Sequence, residues 1–170
     1  MNKTNSIEKN FINKGFIISK IENKKNFNKI ENKIYLEIVK FLKFKKKVKK
    51  KYLFYNIHKY VDKHKLNNLR LKIYNKLNSD INFHKLYFSL ASKMIKEIVG
   101  TEIARQNKIN FSIQMPSDKT SKLEMHADSL SGESKFQVVL LVPLTNTYTS
   151  KSLYIFDIII SKKIISNINI

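Results

Sequence analysis

The sequence predicts an α+β protein, with a helical part at residues 1–107 followed by β-strands at 108–170. Before residue 108, apolar residues recur at spacings of three and four, which is the period of an amphipathic helix. After it, apolar and polar residues alternate, which is the period of a half-buried strand. Polar turns separate the strand-like pieces, as is typical of a sandwich or barrel. The length of 170 residues suits a single domain, 1–170.

The charge of the chain narrows the choice of partner. There are 33 Lys and Arg against 13 Asp and Glu, a net charge of +20, yet the only arginines are Arg70 and Arg105. Specific recognition of nucleic acids relies on the bidentate hydrogen bonds of Arg. Abundant Lys, Asn and Ile together are also what an AT-rich coding sequence produces. The composition therefore predicts no specific nucleic-acid partner.

The predicted location follows from features that the sequence lacks. It has no run of about 20 uncharged apolar residues, the length that a membrane span needs. Its first residues, MNKTNSIEKNFINK, contain no apolar segment of the kind found in signal peptides. With no Cys, the chain can form neither disulfides nor thiolate metal sites. We therefore expect a cytoplasmic protein without a transmembrane segment.

The first part of the chain is predicted to open with a short strand and a long helix. Gly15 precedes the β-branched run GFIISKI, which indicates a strand at residues 15–21. Residues 26–53 are predicted to form the long helix, which has one apolar stripe. Within it, the lysine run KFKKKVKKK (residues 43–51) has two interpretations: a contact for an anionic surface, or a solvated helix face. The stripe consists of Ile30, Ile34, Ile38, Phe41 and Leu42.

A further helix is predicted at residues 81–99. Ser79 or Asp80 supplies its N-cap, and Gly100 ends it. Apolar residues four apart mark its buried side, and we interpret them as core residues. These are Leu86, Leu90, Met94 and Ile98.

Four strands are predicted after residue 108. The first, INFSIQM, places Ile109, Phe111, Ile113 and Met115 on one face. The second is KLEMHAD, residues 122–128. The third, FQVVLLV, is an apolar run of the kind that is buried on both faces, and Pro143 ends it. The fourth is SLYIFDIII, residues 152–160.

The second of these strands carries a histidine and an aspartate one residue apart. Side chains at positions i and i+2 of a strand point to the same face, so His126 and Asp128 project together, with Glu124 on the same side. An imidazole and a carboxylate begin the two-His, one-carboxylate site that holds ferrous iron in oxygenases. A His and an Asp that simply pair at a strand end have the same spacing. Spacing alone leaves both interpretations open.

The surrounding sequence is more specific than this pair. The matching stretches are FSIQMP, SDKTSKLEMHADSLSGES and FQVVLLVPLTNTYTSKSLYI, which lie between residues 110 and 155. They resemble the iron- and 2-oxoglutarate-dependent oxygenases of the phytanoyl-CoA-hydroxylase-like kind. Among these, the stretches are most similar to the sporadic carbohydrate cluster branch, which is found with bacterial surface-polysaccharide genes.

The resemblance implies a fold, two cofactors and a reaction. The fold is a double-stranded β-helix, or jelly roll, wrapped by N-terminal helices. His126 and Asp128 are expected to hold Fe(II), with 2-oxoglutarate as cosubstrate, in a hydroxylase of surface-carbohydrate biosynthesis that acts on a small molecule or carbohydrate. Gln114, Lys151 and Ser152 are candidates for binding the cosubstrate or the substrate. A solvent-facing role for Gln114 is the alternative.

One departure from the family pattern limits the predicted activity. The family has a distal histidine and an arginine that binds 2-oxoglutarate, whereas this chain has no histidine after His126 and no arginine after Arg105. We therefore expect a truncated, incomplete jelly roll with weak or no activity, or one whose C-terminal half is on a separate chain. Upstream His58, His64 and His84 are expected on the surface or in helix packing. The alternatives are a noncatalytic basic module that binds a glycan, an anionic membrane or RNA, and a structural remnant.

Overall fold

The structure, a computed structural model, describes residues 5–118, 124–134 and 136–167. These residues contain α-helices and short 3₁₀ turns, and none of them belongs to a β-strand. None of the described helices is both long enough and apolar enough to cross a membrane. The α-helices are α1 (Asn5–Lys14), α2 (Lys24–Leu42), α3 (Lys50–Tyr55), α4 (Lys63–Asn78), α5 (Ile81–Phe88), α6 (Ser92–Val99) and α7 (Ile158–Ser166).

Helix α2 is the centre of the fold and packs against α3, α4 and α5. Its N-cap is Asn23, whose side chain accepts a hydrogen bond from the backbone N–H of Asn26. The three isoleucines of the predicted stripe are confirmed as core residues, since Ile30, Ile34 and Ile38 are all buried.

The helix predicted at residues 26–53 is two helices. α2 ends at Leu42, and Lys43 adopts the left-handed conformation with φ of 51°. Continuing the helix would place lysines three and four residues apart through the run, where like charges destabilise a helix. The loop that replaces it turns Phe44 and Val48 toward the core and leaves five of its lysines exposed. The ring of Phe44 meets that of Tyr60 edge-on, with their centres 5.0 Å apart.

The hydrophobic core lies among α2, α3, α4 and α5. Apolar positions on these helices recur every three or four residues, so each helix has one face that it can bury. Every buried side chain of the described residues lies between Ile30 and Ala91. The core members are Ile30, Ile34, Ile38, Leu53, Ile57, Val61, Leu66, Leu69, Ile73, Leu77, Phe83 and Leu90.

The helix predicted at residues 81–99 is interrupted between α5 and α6. Both predicted ends are confirmed: the Asp80 side chain caps α5, and Gly100 ends α6 with φ of 85°. At the break, the Leu90 carbonyl accepts a hydrogen bond from the backbone N–H of Glu22. The Glu22 carboxylate then accepts from two N–H groups in the first turn of α6, one of them that of Met94. A partner 72 residues away in sequence thus stabilises the new helix start.

The strand predicted at residues 15–21 is absent, and Ile18 there is 87% exposed. Gly15 has φ of 81° and ends α1 instead of starting a strand. A Cβ at this glycine would lie 3.0 Å from the side chain of Ile158. The glycine therefore lets α1 approach α7, and α1 also packs against α6.

The segment at 109–115 is extended but unpaired. Ile109, Phe111, Ile113 and Met115 are half-buried against the helical core, and the residues between them are exposed. The predicted one-sided face is therefore confirmed, although the face packs on helices and not in a sheet. Asn78, at the end of α4, replaces a neighbouring strand. Its side-chain oxygen accepts from the Ile109 N–H at 2.7 Å, and its nitrogen donates to the Ile109 carbonyl at 3.0 Å.

The prediction that FQVVLLV is buried on both faces is wrong. Val138, Leu140 and Val142 are half-buried, whereas Phe136, Val139 and Leu141 are exposed. The hydroxyl of Tyr87 holds this segment by donating to the Leu140 carbonyl at 2.7 Å. The segment therefore lies across the helical layer with only one face covered.

The predicted α+β class, with an incomplete jelly-roll core, is wrong for the described residues. Alternation of apolar and polar residues requires an extended chain with one buried face, and a helical layer can cover that face as well as a second sheet can. A sheet also needs a partner backbone for each N–H and C=O group. Here the partners that hold the extended segments are side chains of helices. The segment at 152–160 is likewise not a strand, because α7 begins at Ile158.

Candidate metal site

The His-x-Asp pair lies at the start of a short 3₁₀ turn, Asp128–Ser131. Ala127 before it is extended, with φ of −124° and ψ of 128°, so the side chains on either side of it project in the same direction. The turn closes when the Leu130 N–H donates to the Ala127 carbonyl at 2.9 Å. Gly132 then ends it in the left-handed conformation, with φ of 89°.

The two functional groups of the pair meet, and solvent reaches both of them. The Nε2 atom of His126 lies 3.4 Å from Oδ1 of Asp128. The exposed fractions of the two side chains are 43% and 47%. A small ion or molecule can therefore approach the pair directly from solution.

A hydrogen bond fixes which nitrogen of the neutral His126 imidazole carries the hydrogen. Nδ1 of His126 lies 2.8 Å from the backbone carbonyl oxygen of Glu124. Since a carbonyl oxygen can only accept, Nδ1 must carry the hydrogen. In the neutral ring, the lone pair of Nε2 then points toward the carboxylate of Asp128. Two acceptors at this distance repel each other unless a cation, either a proton or a metal ion, lies between them.

The donor set fits a divalent metal ion in part. Metal–ligand distances for imidazole nitrogen and carboxylate oxygen are about 2.0–2.2 Å, so one ion can reach two atoms that are 3.4 Å apart. The Nδ1–H bond to a carbonyl is also the usual outer support of a metal-bound histidine. The described residues, however, contain no group of three or more His, Cys, Asp or Glu that could hold a metal. Among the described residues, the site therefore has two protein ligands, His126 and Asp128, and lacks a third ligand.

The other predicted site residues lie apart from the pair. Gln114 is exposed on the outer face of the extended segment 109–115. Ser152 is half-buried directly after the 3₁₀ turn Thr149–Lys151. No hydrogen bond or ion pair between described residues joins them, or Lys151, to His126 or Asp128. Ser121 and Lys122, which belong to the matched stretches, lie outside the described residues.

Lys151 instead belongs to a cluster of tyrosines and lysines that sequence reasoning missed. Its Nζ atom lies 5.7 Å from the ring centre of Tyr55 and 5.2 Å from that of Tyr148, within the range of cation–π attraction. Nearby, Lys59 lies 5.9 Å from the ring centre of Tyr52. The cluster borders a cleft of 660 Å³ between α3 and residues 143–147. No periodic pattern joins residues so far apart in sequence, so the sequence carries no signal for it.

The upstream histidines agree with the roles expected of them. His58 and His64 are exposed, and His84 is buried on α5. Nδ1 of His84 lies 2.6 Å from a guanidinium nitrogen of Arg105. Because a guanidinium only donates, Nδ1 accepts this bond. The contact anchors the segment after α6 to the helical core.

Comparisons of the chain with protein-family models, with curated proteins and with solved structures found no match.

Proposed function

We propose that His126 and Asp128 bind a divalent metal, ferrous iron, as part of an iron- and 2-oxoglutarate-dependent oxygenase. The observation that carries the proposal is the pair of acceptors 3.4 Å apart, one on a ring held by the Glu124 carbonyl. The resemblance of residues 110–155 to these oxygenases supports the choice of iron. The substrate class that follows is a small molecule or a carbohydrate.

The residues of this chain have limited, definable roles in that chemistry. Bound iron supplies the activation of oxygen that a protein side chain cannot perform. The imidazole of His126 and the carboxylate of Asp128 hold the ion, and the Glu124 carbonyl keeps Nε2 turned toward it. The open surroundings of the pair leave room for 2-oxoglutarate to reach the same ion. With two protein ligands, we expect weak binding of the metal and slow turnover.

Metal binding is the first test. Calorimetry with Fe²⁺ under argon, or with Co²⁺ in air, measures the affinity of the purified chain. We expect His126→Ala and Asp128→Asn each to weaken binding tenfold or more. His58→Ala is the matched control, because His58 is an exposed histidine outside the pair. Unchanged affinity in His126→Ala would show that His126 does not bind the metal and would contradict the proposed site.

Turnover is the second test, and it concerns the oxygenase class itself. Succinate formed from 2-oxoglutarate in the presence of Fe²⁺ and oxygen measures it. We expect a low rate from the chain alone and none from His126→Ala. Metal binding without any succinate, even after candidate carbohydrates are added, would keep the metal site and contradict oxygenase activity in this chain.

Noncatalytic binding of an anionic partner, such as RNA, a glycan or an anionic membrane, is a second candidate function. Exposed lysines of the 43–49 loop adjoin the lysines and tyrosines around α3, a pattern that suits phosphate groups together with flat rings. Binding of this kind weakens steeply as salt rises. Titrations of RNA and of anionic vesicles between 50 and 200 mM salt measure that dependence. Replacing Lys45, Lys46 and Lys47 with Gln should weaken binding and flatten the dependence, and an unaffected triple variant would contradict this function.

A further inference from the structure

Residues 137–142 form an extended segment in which one edge of the backbone is held and the other is free. In an extended chain, the N–H and C=O groups of successive residues point to opposite edges. The Leu140 carbonyl points to one edge, where it accepts a hydrogen bond from the Tyr87 hydroxyl. The backbone groups of Val139 and Leu141 point to the other edge and form no hydrogen bond with another described residue. This second edge can therefore pair with another backbone.

The outward side chains of this segment are apolar. Val139 is 52% exposed, and Leu141 is 59% exposed. The other extended segment, 109–115, instead turns polar residues such as Ser112 outward, and water solvates them. Pairing with a further strand covers outward side chains together with the backbone edge, and apolar cross-strand pairs stabilise it. A partner strand therefore favours residues 137–142.

The same segment lies in the longest stretch of the chain without a charged residue. Residues 136–150 contain no Asp, Glu, Lys or Arg, although the whole chain has a net charge of +20. Proteins commonly protect an exposed strand edge from self-pairing by placing charges on it, especially Lys. This edge has no such protection. Two copies that meet through their lysine-rich helices repel each other, whereas two copies that meet at this segment bring no like charges of the segment together.

We infer that two copies of this chain pair through residues 137–142 as antiparallel strands about a two-fold axis. Most homodimers have such an axis, so that the same surface faces itself. With the axis at Leu140, Val139 of one copy lies opposite Leu141 of the other, and each such pair exchanges two backbone hydrogen bonds. Both cross-strand pairs are then apolar. The Tyr87 hydroxyl holds the opposite edge at Leu140, so the pairing stops at two copies.

Self-association is the first test. Sedimentation equilibrium of the full chain, from micromolar to millimolar concentration, measures its mass, and we expect a monomer that converts to a dimer. Rising salt should strengthen the dimer, because salt screens the repulsion between the basic surfaces. A metal chelator should leave it unchanged, since His126 and Asp128 lie outside the segment, so this inference and the proposed metal site can fail separately. A chain that stays monomeric, or that grows into fibres, would overturn the inference.

Two substitutions at exposed positions test the register of the pairing. Val139→Lys and Leu141→Glu each place a charge opposite an apolar residue, so each variant alone should dimerise at least tenfold more weakly. In a mixture of the two variants, the introduced charges lie opposite each other with unlike signs, and dimerisation should recover. Leu36→Lys, at a position of α2 that is 61% exposed, is the matched control and should dimerise like wild type. A mixture that does not recover would contradict this pairing.

Hydrogen exchange tests the pairing at single residues. The amides of Val139 and Leu141 donate to the second copy in the dimer, so their exchange should slow tenfold or more as the concentration rises. The amides of Leu140 and Val142 point to the opposite edge and should keep the rates of the monomer. Equal slowing at all four amides, or slowing at none of them, would overturn the inference.

Discussion

Residues 24–91 and residues 124–167 contain similar kinds of side chains but use them in opposite ways. The first region holds every buried residue that the structure describes, and the second holds none. Among the residues that the structure describes, 20 large hydrophobic side chains are exposed, and 13 of them lie in the second region. Helices form their backbone hydrogen bonds within themselves, so the first region needs only to bring its apolar faces together. Extended segments depend on neighbours for both backbone bonds and burial.

The largest expected effect compares the same truncation in the two regions. Leu69 on α4 is completely buried, and Leu141 is 59% exposed. Leu69→Ala leaves a cavity in the core and should lower the free energy of unfolding by about 2–5 kcal/mol. Leu141→Ala should change it by less than about 0.5 kcal/mol. Urea unfolding followed by circular dichroism measures both, and equal losses would mean that the second region has a core of its own.

An intermediate effect concerns the contact between the regions through Tyr87. Burial raises the pKa of Tyr87 to about 12 from its ordinary value of 10.0. The folded protein therefore keeps this proton where the unfolded chain loses it, so stability is complete below about pH 10 and falls as pH rises toward 12. Two pKa units correspond to about 2–3 kcal/mol.

Comparison of wild type with Tyr87→Phe isolates this contribution from the other groups that titrate at high pH. Phe has no hydroxyl to donate to the Leu140 carbonyl, so the free energy of unfolding of the variant at pH 8 should be about 1 kcal/mol lower than that of wild type. Its stability should then fall less steeply than that of wild type between pH 10 and 12. Tyr154→Phe, at a position that is 75% exposed, is the control. Parallel curves for wild type and Tyr87→Phe would contradict the raised pKa of Tyr87, and equal stability at pH 8 would contradict the hydrogen bond.

The smallest expected effect concerns Asn78 and the extended segment 109–115. Asn78→Ala removes both hydrogen bonds to Ile109 and should cost about 1–2 kcal/mol. Hydrogen exchange should show faster exchange of the Ile109 amide, while the centre of α4 stays protected. Asn75→Ala, on the exposed side of the same helix, is the control. Unchanged exchange at residue 109 would mean that side-chain packing alone holds the segment.

The sequence predicted the helical region better than the extended one, for a physical reason. The stripe of Ile30, Ile34 and Ile38 and the cap at Asp80 are local features, and local spacing determines them. Alternation at 109–115 correctly indicated one buried face, but it does not indicate what covers that face. The cover is helical, and the bonds from Asn78 have no periodic signature in the sequence.

The sequence likewise predicted only the local part of the candidate site. The two-residue spacing of His126 and Asp128 predicts that their side chains lie together, and they do. The bond from the ring of His126 to the Glu124 carbonyl needs coordinates, as does the position of Lys151 beside two tyrosines. A third metal ligand can come from any distance in sequence or from another molecule, and local patterns carry no information about it.

The pair of hydrogen bonds between Asn78 and Ile109 has a consequence for the tolerance of these positions to mutation. A primary amide presents one donor and one acceptor side by side, and it recognises the peptide group without reference to the side chain beyond it. Position 109 should therefore accept many apolar residues, whereas proline, which lacks the N–H, is excluded. Position 78 should be far stricter, because aspartate keeps the acceptor and loses the donor. In substitution libraries, position 109 should therefore tolerate many residue types, whereas position 78 should tolerate few.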